Sequence, residues 1–346
     1  GNINSKLGQG LSLDIIGTKE RIEFNLDANN RPKSFLVKWR QALLSGAATA
    51  SDWNINVSNF PLTALNIKIP ASIPLGPGGV GGSLTANLQL NSQTLATKAN
   101  IAIEQPEVGR IKGDRFTSEM RYDNNTLVFI NSDFRKGESR YSGDANIIKP
   151  WVKQPQLRAV INIDKGNIQN LLTVAQIFDI QDFQRGLKAP IYGKSADLTT
   201  NSQGLPLEPL LTQIQRLSEI DALLTSQQQK RLAAKPIPDL RDLKGILNGR
   251  IFINTATTNE PRIKFNLQGE NFTWGKPTEP THFYAAEKVI VKGSFEAGTF
   301  RFLPLQIQSQ QTILSYKGNI GSQEQSGQLS IENFPLQRLS NLVKLP

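Results

Sequence analysis

The chain contains no cysteine and only one histidine among its 346 residues. Without cysteine, neither disulfides nor thiolate metal sites can form, although an oxidising space such as a bacterial periplasm is tolerated. His282, in "PTHFYAAE", has no second imidazole or thiol nearby in sequence with which to bind zinc. GxSxG, GxxxxGK[ST] and HExxH motifs are also missing from the sequence. We therefore predict a non-enzymatic protein without a metal or cofactor.

Long apolar runs are missing as well, so no stretch of this sequence is expected to span a membrane, and no signal peptide opens it. The chain starts "GNINSKLGQG" without methionine, which we interpret as a fragment of a longer protein. Hydrophobic residues make up 38% of the sequence, which is low for a globular protein. A thick core is therefore unexpected, and the length favours two or three units or a repeat array.

The formal net charge is +10, which is compatible with nucleic acid, an anionic membrane or an acidic protein as partner. Lysine and arginine are scattered, with no run longer than two. Nucleic-acid sites usually combine a cluster of cations with aromatic stacking residues. We predict no nucleic-acid partner and place the cations on the solvated faces of strands.

Alternating apolar and polar residues give the clearest structural signal. Residues 83–104 contain two alternating segments around "NSQ", with Leu95 at the start of the second. This pattern predicts a β-hairpin with one apolar face. The alternation continues to "DNN" at 123–125, a predicted turn, and then through "TLVFINSDF", "ESRYSGDANI" and "QLRAVINI".

Two distant parts of the chain share this strand order. "NFPL" occupies 59–62 and 333–336, and "YSGDANI" at 141–147 corresponds to "YKGNI" at 316–320. Each NFPL is predicted to end a strand, with its proline opening a helical turn. We predict a partial β repeat over 1–66, β repeats over 67–171 and 243–346, and a helical insertion over 172–242. Such stacked repeats are typical of solenoid-like architectures.

Helical periodicity predicts helices over 168–187 and, as an amphipathic segment, over 207–232. The polar side of the second is not rich in lysine or arginine, so packing on the sheet is favoured over membrane-surface binding. Asp239 and Asp242 are predicted to cap or pair rather than catalyse. "GPGGVG" at 76–81 matches GxGxxG, but a strand pattern follows it, which predicts a turn instead of a dinucleotide site.

"GENFTWG" at 269–275, together with "PDLRDLKGILNGRIFIN", "QDFQRGLKAP" and the leucine-rich helix, carries a family resemblance. Over essentially its whole length the chain resembles the cyanobacterial branch of the TamB family (translocation and assembly module), a branch that is similar to the TamB-type protein of the chloroplast inner envelope. The family's extreme C-terminal portion is not recognisable here.

The resemblance implies a long periplasmic protein, anchored in the inner membrane by a helix outside this sequence and acting in outer-membrane biogenesis. It also implies an Omp85-class outer-membrane barrel as partner, docked through other parts of the protein. Related AsmA-like proteins are thought to carry lipids between membranes. The family's repeats form a curled sheet, open along one side, with an apolar lining.

We therefore expect a mainly β fold: an elongated, curled antiparallel, solenoid-like sheet with a hydrophobic groove, a β-taco-like arrangement. An apolar sheet face must be covered, and curvature can cover it without a second layer. The predicted lining residues, for which ordinary core packing is the alternative, are Leu84, Leu88, Leu90, Ile101, Ile103, Phe116, Met120, Ile263, Phe265, Leu267, Phe300 and Phe302.

Three functional classes follow from this expectation. In the first, the groove shields and conducts acyl chains of phospholipid or another lipid across the periplasm. In the second, the sheet is a scaffold or chaperone for outer-membrane protein insertion or protein translocation, in which unfolded strands pair with an exposed edge. The third, an adhesin-like β-solenoid with a filled core, is disfavoured because the repeats are about a hundred residues long, longer than typical solenoid repeats.

Overall fold

A computed structural model of the protein describes residues 2–6, 10–14, 19–67, 79–152, 155–175, 177, 238–255, 262–278, 283–321 and 325–333. These residues are mainly β-structure. The strands are β1 Asn2–Lys6, β2 Gly10–Asp14, β3 Arg21–Leu26, β4 Pro32–Trp39, β5 Ala42–Thr49, β6 Asp52–Pro61, β7 Val80–Asn91, β8 Thr97–Val108, β9 Ile111–Lys112, β10 Arg115–Asp123, β11 Thr126–Lys136, β12 Ser139–Ile148, β13 Gln156–Asn167, β14 Leu243–Asn254, β15 Arg262–Trp274, β16 Tyr284–Glu296, β17 Thr299–Ser309, β18 Thr312–Gly321 and β19 Gln325–Glu332.

The strands form one antiparallel sheet in sequence order. Each strand pairs with the next along the chain, except that β8 pairs with β10 and the two-residue β9 pairs only with the end of β8. Strand β13 pairs directly with β14 although residues 168–242 separate them in sequence. The sheet is not closed: among the described residues, β1 pairs only with β2 and β19 only with β18.

The register aligns apolar residues on one side of the whole sheet, because side chains alternate between faces along every strand. One row of directly paired residues crosses sixteen strands without a polar or charged residue. The row is Leu11, Phe24, Phe35, Gly46, Ile55, Leu88, Ala99, Met120, Phe129, Ala145, Ala159, Ile253, Ile263, Phe295, Phe300 and Ile320. We call the side that carries this row the apolar face and the other side the polar face.

Bulges occur on every second strand through the middle of the sheet. Within β6, β8, β11, β13 and β15 one residue has a positive φ close to a register shift, and β17 shifts register at Leu303 and Pro304. These positive-φ residues are Asn59, Gln105, Asn131, Lys165 and Asn271. A bulge bends its strand and increases the local twist. It also changes which residues lie on the apolar face. Phe60 and Phe272 each directly follow a bulge and therefore lie on the apolar face, although strict alternation would place them on the polar face.

The core is thin and lies where helix α1, Ile168–Ala175, packs on the apolar face. The main buried cluster contains Ile163, Leu247, Leu267, Phe272 and Val289, with Ile168 and Leu171 of α1 packed against it. The side-chain oxygen of Asn167 accepts a 2.8 Å hydrogen bond from the backbone N–H of Gln169, which stabilises the start of the helix.

The predicted hairpins are confirmed with small changes. Strands β7 and β8 form the 83–104 hairpin, but Leu95 has a positive φ and lies in the connecting loop. The sequence suggested a shorter turn because an apolar residue close to an alternating pattern looks like part of the strand. The DNN turn is confirmed: Asn124 and Asn125 both have positive φ, as a two-residue type I′ hairpin requires.

The helix predicted over 168–187 is confirmed for Ile168–Ala175 but does not include Ile177, which is buried beyond its end. Residues 178–187, the predicted helix 207–232 and His282 lie outside the described residues. Asp239 does cap: its carboxylate accepts the N–H of Arg241 at the start of a 3-10 turn, Leu240–Asp242. Val80 and Gly81, the end of GPGGVG, begin strand β7, so no helix follows this motif.

Both NFPL copies place their asparagine in a left-handed conformation, with φ of 51° at Asn59 and 55° at Asn333. In the first copy, Pro61 is the last residue of β6 and precedes the 3-10 turn Leu62–Leu65. The proline was predicted inside the turn; it lies outside because its extended ψ continues the strand. Residues 334–336 of the second copy lie outside the described residues. The division of the chain into repeats stays a prediction.

Candidate functional site

The apolar face is the largest chemically distinct surface of the sheet. All twelve predicted lining residues occupy positions on this face by strand register. Leu267 and Phe302 are buried, and the other ten are half-buried. Half-burial of so many large apolar side chains shows that the described residues cover this face only in part.

The opposite side of the same strands is polar. On β15, Lys264, Asn266 and Gln268 are exposed and alternate with Ile263, Phe265 and Leu267. This segregation is typical of a sheet with one solvated side.

Aromatic residues that the sequence analysis did not select also lie on the apolar face. On β4 and β6, the rings of Phe35 and Trp53 are 5.7 Å apart, and Phe35 covers Gly46 so closely that a Cβ there would lie 2.2 Å from its ring. The rings of Phe265 and Phe302 likewise lie 6.1 Å apart on either side of Gly293. Glycines thus leave space for neighbouring rings. A search for large residues opposite glycines would have found this pattern.

The aromatic cluster is densest on β16–β18. The rings of Phe295 and Phe300 are 4.7 Å apart, Phe300 and Phe302 are stacked at 6.2 Å, and Tyr316 meets Phe302 edge-on at 6.1 Å. Rings at these separations attract one another in addition to their burial of apolar area.

Few polar side chains interrupt the apolar face. Ser118 is buried, and its hydroxyl lies 2.9 Å from the hydroxyl of Ser132. The two hydroxyls therefore form a hydrogen bond with each other. Burial raises the pKa of Tyr141, whose hydroxyl lies near Ser139 and Asn170 without a well-aligned hydrogen bond to either. The apolar face therefore offers no ionised side chain at these positions near neutral pH.

A second cluster joins opposite ends of the strands. Leu172, Ile177 and Leu240 are buried together, and both Trp274 and Phe300 pack against them. Trp274 is the last residue of β15. Phe300, near the start of β17, is in register with Ile263 near the start of β15, so the two aromatic residues belong to opposite ends of the strands.

A separate recess of about 440 Å³ lies where β13 extends beyond the β11–β12 hairpin. Lys136, Ser139, Lys165, Asn167 and Asn170 line it, together with Gly137, Glu138 and Ile246. It lies at the strand ends beside helix α1, and most of its lining side chains are polar.

The polar face of β8–β12 is organised by ion pairs. Arg115 pairs with Glu104 at 3.3 Å, and Asp133 contacts both Arg135 and Arg140. Partial burial of Asp133 opposes its ionisation, but hydrogen bonds from the two arginines outweigh this and lower the pKa of its carboxyl group.

Within the described ranges, no group of three or more histidine, cysteine, aspartate or glutamate side chains is arranged to hold a metal ion. None of the helices in those ranges is both long and apolar enough to cross a membrane. Comparison of the chain with protein-family models, with curated proteins and with solved structures found no match.

Proposed function

We propose that the apolar face lines a trough that shields lipid acyl chains and conducts them across an aqueous compartment. The observation that carries this proposal is the unbroken apolar row across sixteen strands. Fifteen strand spacings of about 4.8 Å give this row a length of roughly 72 Å. An acyl chain could pass along it without meeting a charged side chain.

Curvature of the strands supports a trough rather than a flat surface. If β15 were straight, Ile263 and Trp274 would be about 36 Å apart. Phe300 lies in the same register row as Ile263. Nevertheless, Phe300 and Trp274 both pack against the same buried cluster, so the sheet must bend between them. Helix α1, with eight residues, spans only about 12 Å and cannot bridge this distance alone. The bulges on alternate strands are the device that produces such bending in sheets.

The free energy of hydration makes the trough useful to a lipid. Exposing a 16-carbon chain to water costs about 13 kcal/mol at roughly 0.8 kcal/mol per CH₂. A continuous apolar surface reduces this cost at every point along the path. The protein performs no covalent chemistry in this function.

The resemblance to the TamB family supplies the proposed biological setting. In that setting the chain is the periplasmic part of a longer protein that is anchored in the inner membrane. It acts in outer-membrane biogenesis with an Omp85-class barrel, which other parts of the protein would contact.

Site-specific photocrosslinking in cells tests the lipid function. A photoreactive amino acid at Leu88 or Phe265 is expected to yield phospholipid adducts, because both side chains lie on the apolar face. Asn87 and Asn266 are matched controls: each is adjacent in sequence but exposed on the polar face. Labelling of protein only at Leu88 and Phe265, or equal lipid labelling at the controls, would reject the lipid conduit.

A second candidate function is a scaffold for unfolded outer-membrane strands, and strand β19 favours it. All eight residues of β19 are exposed, and among the described residues its outer edge has no partner. An unpaired edge is a template for another strand. Photocrosslinkers along β19 would then capture nascent barrel proteins, whereas those at Leu88 would capture no lipid.

A further inference from the structure

Each of the strands β14–β18 carries at least one exposed basic side chain on the polar face. Five of these, one from each strand, lie close together across the sheet and we call them the cationic stripe: Arg250, Lys264, Lys292, Arg301 and Lys317. Lys244 of β14 and Arg262 of β15 are also exposed but lie outside the stripe. Arg250 and Lys292 share one register row, and Lys264 and Arg301 share the adjacent row. Lys317 lies opposite the bulge of β17. The stripe therefore runs across the strands in a zigzag about 19 Å long, at roughly 4.8 Å per strand.

Within the described part of the chain, the charges of the stripe are not neutralised by ion pairs, in contrast to the arginines of β10–β12. None of the ion pairs between described residues involves these five side chains. On the same strands, Glu296 is bound to Arg262. Asn266 is the β15 residue in the row of Arg250 and Lys292. Glu270 is four residues further along β15, about 13 Å from this row, which is too far for an ion pair. At the β13 side, Asp164 is paired in register with Arg140.

Apolar side chains are exposed within the stripe. Phe252 is 42% exposed and is directly opposite Lys264, and Leu303 is 52% exposed on β17. The guanidinium of Arg250 lies 5.9 Å from the centre of the Phe252 ring. Cations interleaved with exposed apolar residues are typical of surfaces that bind at a membrane interface.

The position of the stripe limits the kinds of partner that can bind to it. It lies within the sheet, where the backbone of each strand is already paired on both sides, so an added strand cannot dock there. Among the described residues, Phe252 is the only aromatic side chain beside the stripe, whereas binding of single-stranded nucleic acid uses several stacking aromatic residues. A flat, repeated anionic surface is the best complement.

We propose that the cationic stripe docks the polar face of β14–β18 onto an anionic phospholipid surface. The stripe contacts headgroup phosphates, while Phe252 and Leu303 reach the boundary between headgroups and acyl chains. Because the stripe follows the direction in which strands stack, docking lays this part of the sheet along the surface. This inference does not rest on the binding of acyl chains by the apolar face.

Vesicle flotation with the 346-residue chain tests the proposal. Binding is measured to phosphatidylcholine vesicles with and without phosphatidylglycerol, for the wild type and for Lys264→Gln/Lys292→Gln. Each lost cation should weaken binding about fivefold, so the double variant should bind phosphatidylglycerol vesicles about 25-fold more weakly. Binding to pure phosphatidylcholine should be weak for both proteins.

The matched control is Arg115→Gln/Arg121→Gln, which removes the same charge from the same face at positions that are ion-paired. It should retain wild-type binding. An equal loss in both double variants would overturn the proposal in favour of diffuse net charge. Unchanged binding by the stripe variant would overturn it as well. A stripe variant that keeps vesicle binding but no longer binds poly-glutamate would assign the stripe to an acidic polypeptide instead.

Discussion

The ion-pair network around Asp133 is the best-defined charged group on the polar face. Its carboxylate receives hydrogen bonds from Arg135 at 3.0 Å and from Arg140 at 2.7 Å. Both arginine side chains are more than half exposed, so solvent weakens the interaction. The network therefore stabilises the β11–β12 hairpin only modestly.

Because folding lowers the pKa of Asp133, its contribution to stability is present above the unfolded-state pKa of about 3.9 and is lost as pH falls through the lower folded-state value. Asp133→Asn should reduce the free energy of unfolding by about 0.5–1 kcal/mol at pH 7. The difference from wild type should vanish below the folded-state pKa, as measured by urea denaturation at a series of pH values.

The control is Glu287→Gln, which removes an exposed carboxylate without an ion pair among the described residues. It should leave stability unchanged throughout. A loss in Asp133→Asn that persists undiminished at low pH would contradict the electrostatic explanation.

Bulged strands are the elements that keep the apolar face continuous. In β15, Asn271 has a φ of 56° between Glu270 and Phe272, and without this bulge strict alternation would turn Phe272 to the polar face. Instead Phe272 is buried with Leu267 and Leu247. Asparagine adopts this conformation more readily than most residues, and β-branched residues adopt it least.

Asn271→Gly should therefore change the free energy of unfolding little, whereas Asn271→Val should lower it by about 1–3 kcal/mol. Urea denaturation measures both. Asn266→Val is the matched control, because Asn266 is exposed in a regular part of the same strand. Equal stability of the Val and Gly variants at position 271 would show that the bulge is not held in this conformation.

At the scale of the whole molecule, the sheet is a linear array. The contacts between the described strands are mainly those between neighbours in the sheet. In such arrays stability is approximately a sum of local and nearest-neighbour contributions. A local disturbance should therefore remain local.

Hydrogen exchange of two glycine variants tests this locality. A Cβ at Gly46 would collide with Phe35, and a Cβ at Gly293 would lie 2.0 Å from the carbonyl oxygen of Arg301. Gly46→Val should reduce amide protection in β4–β6 and leave β15–β17 unchanged, while Gly293→Val should do the reverse. Loss of protection throughout the sheet in either variant would show global cooperativity instead.

Much of the fold could be predicted within single strands and turns. Alternation over 83–104 located β7 and β8, and the asparagines after Asp123 located a tight turn, because both signals depend on residues a few positions apart. Alternation also separated the twelve predicted lining residues from the polar residues of their own strands, for the same reason. Phe60 and Phe272 were missed because a bulge interrupts the period of two.

The sequence by itself determined that each strand has one apolar and one polar side, since side-chain direction follows from backbone geometry alone. Tertiary structure decided how these sides combine. Pairing of β13 with β14 across residues 168–242, and the register shifts at the bulges, depend on contacts between distant residues. Only those contacts align sixteen strands into one apolar row and place five scattered basic residues in one stripe.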